Sequence, residues 1–142
     1  MKTSARNQFA GKVSAIREGA INDEVELEVA GGHKIVATVT RESRNSMKLA
    51  AGASAFALVK ASSIILMSDC DGVRLSARNQ LKGKVAKVTD GAVNTEVVLE
   101  LAGGIQVAVI ITLASAQAMG LAQGSEALAI FKASSVILGV AA

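Results

Sequence analysis

Apolar and polar residues alternate along several short stretches of this chain, which is the pattern of a β-strand with one buried face. The pattern is clearest at residues 24–29, where Val25, Leu27 and Val29 are expected to face a core and the three intervening glutamates to face water. At Thr40 the period changes, and this N-cap residue predicts a short helix over about residues 41–48. Strands are predicted over residues 8–18, 24–29, 35–39, 55–60 and 62–67.

The whole pattern occurs twice. The stretch from Ser4 to Gln8 returns unchanged as Ser76 to Gln80, seventy-two positions later, and the offset holds to the end of the chain. A fixed internal period indicates one folding unit used twice. Five short strands with a helix between the third and fourth predict an all-β chain, namely two tandem OB-like Greek-key barrels. The predicted units are a first module over 1–67, a linker over 68–75 and a second module over 76–142. The second module has expected strands at 80–89, 95–102, 105–111, 126–132 and 134–138, with a helix at 113–119.

Two strands give further expectations about burial. In the first strand, Phe9, Gly11, Val13 and Ala15 are expected on one face. Residues 105–111 are apolar on both faces, so their second face is expected to be covered as well. Modules of about 70 residues bury only about 60% of their unfolded surface. Oligomerisation is therefore expected.

Composition excludes several classes of function. The chain has one histidine and one cysteine, which supply neither a metal-cation site nor a Ser–His–Asp or Cys–His set in both copies. We therefore expect no enzyme. No apolar run reaches the roughly 18 residues that span a bilayer. The chain starts at once with Lys2 and the repeated motif, which leaves no room for a signal peptide, and a single cysteine suits a reducing compartment. A cytoplasmic protein without membrane contact is expected.

Hydrogen-bond donors recur in both copies. Guanidinium and ammonium groups attract an oxyanion by their positive charge. Hydroxyl groups and unpaired backbone N–H groups at the start of a helix orient it by hydrogen bonds. A simpler interpretation stays open: the leader caps a strand and forms a surface ion pair, and the lysine protects a strand edge. The recurring donors are Ser4, Arg6, Thr40, Ser43, Lys60 and Ser62, matched by Ser76, Arg78, Thr112, Ser115, Lys132 and Ser134.

Five motifs follow one another in each copy: Ser-Ala-Arg-Asn-Gln, Gly-Ala-x-Asn, Gly-Gly, Thr-x-x-Ser and Lys-Ala-Ser-Ser. In this order, and twice, they resemble the molbindins, whose module is the Mop domain and whose tandem form is the di-Mop arrangement. The resemblance implies an OB-like fold, a trimer of tandem chains, and molybdate or tungstate bound between modules. One implied class of site uses Ser4, Ala5, Arg6, Thr40, Ser43, Lys60, Ala61 and Ser62, and in the second copy Ser76, Ala77, Arg78, Thr112, Ser115, Lys132, Ala133 and Ser134.

The resemblance implies a second, axial class of site at the Gly-Ala-x-Asn turns. These are Gly19, Ala20, Ile21 and Asn22 in the first copy, and Gly91, Ala92, Val93 and Asn94 in the second. The chain departs from the family at Ser62 and Ser134, where many members have proline. It also has Asp23 after the first turn, where the second copy has Thr95, and the added negative charge is expected to weaken the first axial site.

Two functions follow from these features. The first is a non-catalytic cytoplasmic protein that binds molybdate or tungstate for molybdenum storage and homeostasis. The alternative is an OB-fold protein for single-stranded nucleic acid, which would need aromatic side chains for base stacking. The chain has only three phenylalanines and no Trp or Tyr, and Phe9 and Phe56 fall on expected core positions. The sequence therefore favours the anion and no nucleic-acid partner.

Overall fold

The structure, a computed structural model, describes all residues from 1 to 142 and consists of two five-stranded antiparallel sheets and two short helices. The first half contains β1 (Asn7–Glu18), β2 (Asn22–Val29), β3 (Lys34–Thr40), α1 (Arg41–Ser46), β4 (Ser54–Val59) and β5 (Ile65–Met67). The second half contains β6 (Asn79–Asp90), β7 (Asn94–Leu101), β8 (Gln106–Thr112), α2 (Leu113–Met119), β9 (Glu126–Phe131) and β10 (Val136–Gly139). The predicted all-β architecture of two OB-like barrels is confirmed.

The alternating strands bury the predicted face. Val25, Leu27 and Val29 of β2 are all buried, as expected. In β1 the prediction is wrong at Ala15, which is exposed, because a register shift against β2 between Val13 and Ala15 turns the strand over. A bulge of this kind adds one residue to one strand, so the residues beyond it change faces.

The two halves exchange their last strands. The first sheet has the order β10-β4-β1-β2-β3, and the second has the order β5-β9-β6-β7-β8. Val136 therefore lies opposite Val59, and Ile65 lies opposite Ile130. Residues 65–67 form a strand as predicted, but that strand completes the other half's sheet. The division into 1–67, 68–75 and 76–142 stays a proposal about the repeating unit, since each sheet contains strands from both halves.

The exchange starts at a 3-10 turn over Ala61–Ser63, which separates β4 from β5 where a continuous strand from residue 62 was expected. Ala61 is buried, and this turn packs against β8 of the other half. The equivalent turn at Ala133–Ser135 packs against β3. Each turn thus directs the following strand across to the opposite barrel.

One hydrophobic core of 25 buried residues, drawn from both halves, runs through the molecule. Phe9 and Phe131 lie in it. Phe56 does not, contrary to expectation: it is half-buried and faces Gly139 of the exchanged strand. With two of the three phenylalanines in the core, no row of aromatic side chains is left for stacking bases.

Two asparagine side chains join the halves. The Asn79 amide accepts a hydrogen bond from Val36 N and donates one to Val36 O, both at 2.8 Å. Asn7 makes the same pair of bonds with Ala108, also at 2.8 Å. A primary amide carries the same donor and acceptor as a peptide group. Each asparagine side chain therefore hydrogen-bonds to the backbone of an edge strand, β3 or β8, as a neighbouring strand would. The second face of β8 is only half-covered within the chain, since Ala108 and Ile110 are half-buried.

Candidate functional site

A surface cavity of about 430 Å³ gathers six of the predicted anion-site residues of the second copy. Ser76, Ala77 and Arg78 lead into β6, and the segment 132–134 follows β9. These two segments lie side by side because Asn79 pairs with Phe131 in the sheet. The lining residues are Glu24, Thr38, Ser76, Ala77, Arg78, Lys132, Ala133 and Ser134.

The first copy has the same strand geometry. Asn7 pairs with Val59, so the leader with Ser4, Ala5 and Arg6 leaves the sheet beside the segment 60–62. Each copy thus offers a guanidinium, an ammonium and hydroxyl groups at one edge of a sheet, which is the donor chemistry for an oxyanion.

Carboxylates also reach this site, which the sequence did not predict. Nη1 of Arg78 donates to both Glu24 oxygens, at 2.6 and 2.7 Å. In the other copy, Nη1 of Arg6 lies 2.5 Å from Glu96 Oε2. The hydrogen bond that Arg6 donates to Glu96, together with the charge of Glu96, raises the pKa of Arg6. Glu24 stands in a row predicted to face water, and Glu96 occupies the equivalent position of the second copy. Alternation along a strand predicts exposure of a glutamate, and it does not indicate which cation lies opposite.

The predicted Thr-x-x-Ser hydroxyls lie elsewhere within this single chain. Thr40 is the N-cap of α1, as predicted: its Oγ1 accepts from Ser43 N at 3.1 Å and donates to Ser43 Oγ at 2.9 Å. Thr112 and Ser115 repeat this cap at α2, at 3.0 and 2.8 Å. None of these four residues lines the cavity around Arg78. Their place in an anion site stays a prediction.

The Gly-Ala-x-Asn turns project from the barrels. A Cβ on Gly19 would lie 2.3 Å from Asn22 O, so the turn at residues 19–22 admits only glycine at its first position. The turn at residues 91–94 is similar. The side chains of Ile21 and Val93 at the two tips are 77% and 73% exposed. The axial anion sites at these turns also stay a prediction.

An ion cluster distinguishes the first turn. Asp23 is buried and accepts from Arg41 Nη2 at 2.9 Å, from Arg44 Nη1 at 3.2 Å and from Gly19 N at 3.2 Å. Mainly through the hydrogen bond from Arg41, these contacts lower the pKa of Asp23 to about 2. Two guanidinium groups thus offset the charge of Asp23, and the expected weakening of the first axial site stays a prediction.

Comparison with known proteins identifies the family. The TOBE domain model matches the chain twice, at residues 3–66 and 75–138. The chain belongs to the TOBE domain family. Among its relatives, the molybdenum-pterin-binding protein MopA of Rhodobacter capsulatus and the molybdenum transport protein ModE of Herbaspirillum seropedicae are each 46% identical over 140 residues. These alignments cover 99% of the chain but 53% of MopA and 52% of ModE. The chain, called the TOBE pair below for its two matched domains, therefore spans about half the length of these relatives.

A solved structure covers the TOBE pair from end to end. The cytoplasmic molybdate-binding protein ModG, crystallised with molybdate bound, superposes with a TM-score of 0.95 at 50% identity. The match covers 99% of this chain and 100% of ModG. The sequence-based resemblance to tandem Mop domains is thereby confirmed. Neither helix of the TOBE pair is long or apolar enough to cross a membrane.

Proposed function

We propose that this chain binds molybdate or tungstate without catalysis and stores it in the cytoplasm for molybdenum homeostasis. The observation that carries the proposal is the cavity in which Ser76, Arg78, Lys132 and Ser134 converge. The likeness to ModG supports it, because ModG is of the same length, shares half its residues with this chain and holds molybdate.

The donor chemistry favours reversible binding. Hydrogen bonds to a charged group contribute about 1.5–3 kcal/mol each, so four or five would hold a small dianion with a Kd of about 40 μM or below. Ammonium, guanidinium and hydroxyl groups hold such an anion without making or breaking covalent bonds. Storage and release by mass action follow from that chemistry.

We propose further that the binding unit is a homotrimer of tandem chains. Four of the six exposed large apolar side chains form two pairs at equivalent positions of the halves: Ile21 with Val93, and Ile65 with Ile137. A neighbouring chain could also bring its Thr-x-x-Ser hydroxyls to the cavity, which this chain's own Thr-x-x-Ser hydroxyls do not line. Light scattering should report three chains per particle, and a monomer that binds molybdate tightly would contradict the shared site.

Calorimetric titration of molybdate tests the function. The wild-type protein should bind several anions per assembly, and Arg6→Ala/Arg78→Ala should weaken that binding at least about a hundredfold, because each site loses its guanidinium donors. Lys12→Ala/Lys84→Ala is the matched control: it removes two positive charges from exposed, equivalent positions of the halves and should change affinity by less than about threefold. Unchanged binding in the arginine variant would refute the assignment.

A further inference from the structure

We infer that Glu24 and Glu96 are internal counter-anions of the proposed molybdate sites. Each carboxylate holds the arginine that the incoming anion needs, so binding is an exchange of one anion for another at the guanidinium. These glutamates would then set how tightly the site holds molybdate and how readily it releases it. The inference rests on the proposed function.

The geometry around Arg78 shows the competition directly. Both oxygens of Glu24 accept from Nη1 of Arg78, and Glu24 itself lines the 430 Å³ cavity. The Glu24 side chain is 29% exposed and the Arg78 side chain 44%, so solvent and solutes can reach the pair. Lys132, in the same cavity, forms no ion pair. The site therefore presents one free cation and one that is already neutralised.

The same contact occurs at both sites and crosses between the halves. Arg78 of the second half contacts Glu24 of the first, whereas Arg6 of the first half contacts Glu96 of the second. The two arginines occupy equivalent positions of the repeat, as do the two glutamates. A carboxylate opposite the site arginine is thus part of the repeated design of the molecule.

A tetrahedral dianion can replace the carboxylate for electrostatic reasons. It offers a guanidinium a pair of oxygens as a carboxylate does, carries twice the charge, and can contact Lys132 at the same time. The displaced Glu24 stays tethered on β2, where it repels the bound dianion and recaptures Arg78 when the anion leaves. Glu24 therefore both lowers the affinity for the dianion and promotes its release.

The test is a molybdate titration of Glu24→Gln/Glu96→Gln. Breaking an exposed ion pair lowers the affinity for molybdate up to about fivefold, and the variant no longer has this cost. The variant also lacks a negative charge that repels the bound dianion, so its affinity should be roughly three- to thirtyfold higher than that of the wild type. The matched control is Glu28→Gln/Glu100→Gln, which removes the same charge from the same two strands and should change affinity by less than about twofold. Glu28 and Glu100 form no ion pair. They lie four residues along the strand from Glu24 and Glu96, which is a distance of roughly 13 Å and exceeds the screening length of about 8 Å.

The single variant Glu24→Gln adds an independent measurement. It should tighten only the sites that contain Arg78, so its isotherm should separate into two classes of site, while far-UV circular dichroism checks the fold. Affinity that stays equal or falls in the double variant would overturn the inference and show that the glutamates only position the arginines. Failure of the wild-type protein to bind molybdate would instead refute the proposed function.

Discussion

Removal of the Asn79 amide should destabilise the whole molecule, although Asn79 lies outside the core. The side chain is 1% exposed and makes both of its hydrogen bonds to the backbone of Val36 in the other half. In Asn79→Ala, the N–H and C=O of Val36 both lose their partner in a buried setting. Each unsatisfied buried group costs about 1–3 kcal/mol, so the loss of two partners should lower the free energy of unfolding by about 2–6 kcal/mol.

Urea unfolding measures this loss. The chain contains no Trp or Tyr, so far-UV circular dichroism is the appropriate signal, at one fixed protein concentration. A single transition is expected because both halves share one core. Gln80→Ala is the matched control: this neighbour is exposed, its amide bonds to Leu75 O and Ala77 O lie at the surface, and the change should cost less than about 0.5 kcal/mol.

A loss below about 0.5 kcal/mol in Asn79→Ala would refute this reasoning, since it would show that water replaces the amide without penalty. The equivalent variant Asn7→Ala should behave like Asn79→Ala, because its two bonds to Ala108 have the same lengths.

Two other predictions concern acid stability and the exchanged strand. Arg41 and Arg44 hold the pKa of Asp23 at about 2, below its usual 3.8, so its contribution to stability is complete above about pH 4 and is lost as the pH falls towards 2. The melting temperature of Asp23→Asn should therefore fall less steeply than that of the wild type between pH 4 and pH 2, whereas Asp71→Asn in the linker should keep the wild-type slope. Leu138→Ala should cost about 2–4 kcal/mol and reduce hydrogen-exchange protection in β4, because the buried Leu138 lies opposite Ala57 there; protection lost only in β9 would contradict the strand exchange.

The sequence predicted the elements well because their signals are local. Alternation at residues 24–29 gave the buried face of β2, and the hydroxyl of Thr40 gave the start of α1. The exchange of β5 and β10 has no such signal. Residues 65–67 and 136–139 occupy overlapping positions of the two repeats, and alternation encodes which face of a strand is buried, not which strand lies beside it.

Prediction of the candidate site was limited in the same way. The donors Arg78 and Lys132 could be named from their repetition, and the pairing of Asn79 with Phe131 brings them together. The carboxylate of Glu24 comes from the other half, at a position whose local pattern indicates only exposure. Contacts between halves depend on how two barrels are placed, which a periodic sequence does not specify.

The placement of β10 also has a consequence for synthesis of the protein. Translation delivers β4 well before residues 136–139, so the first barrel stays open along β4 until those residues have left the ribosome. An open strand edge can pair with any matching strand. A second copy of the chain carries that matching strand, so we expect dimers that trade β10 to form where newly made chains are crowded.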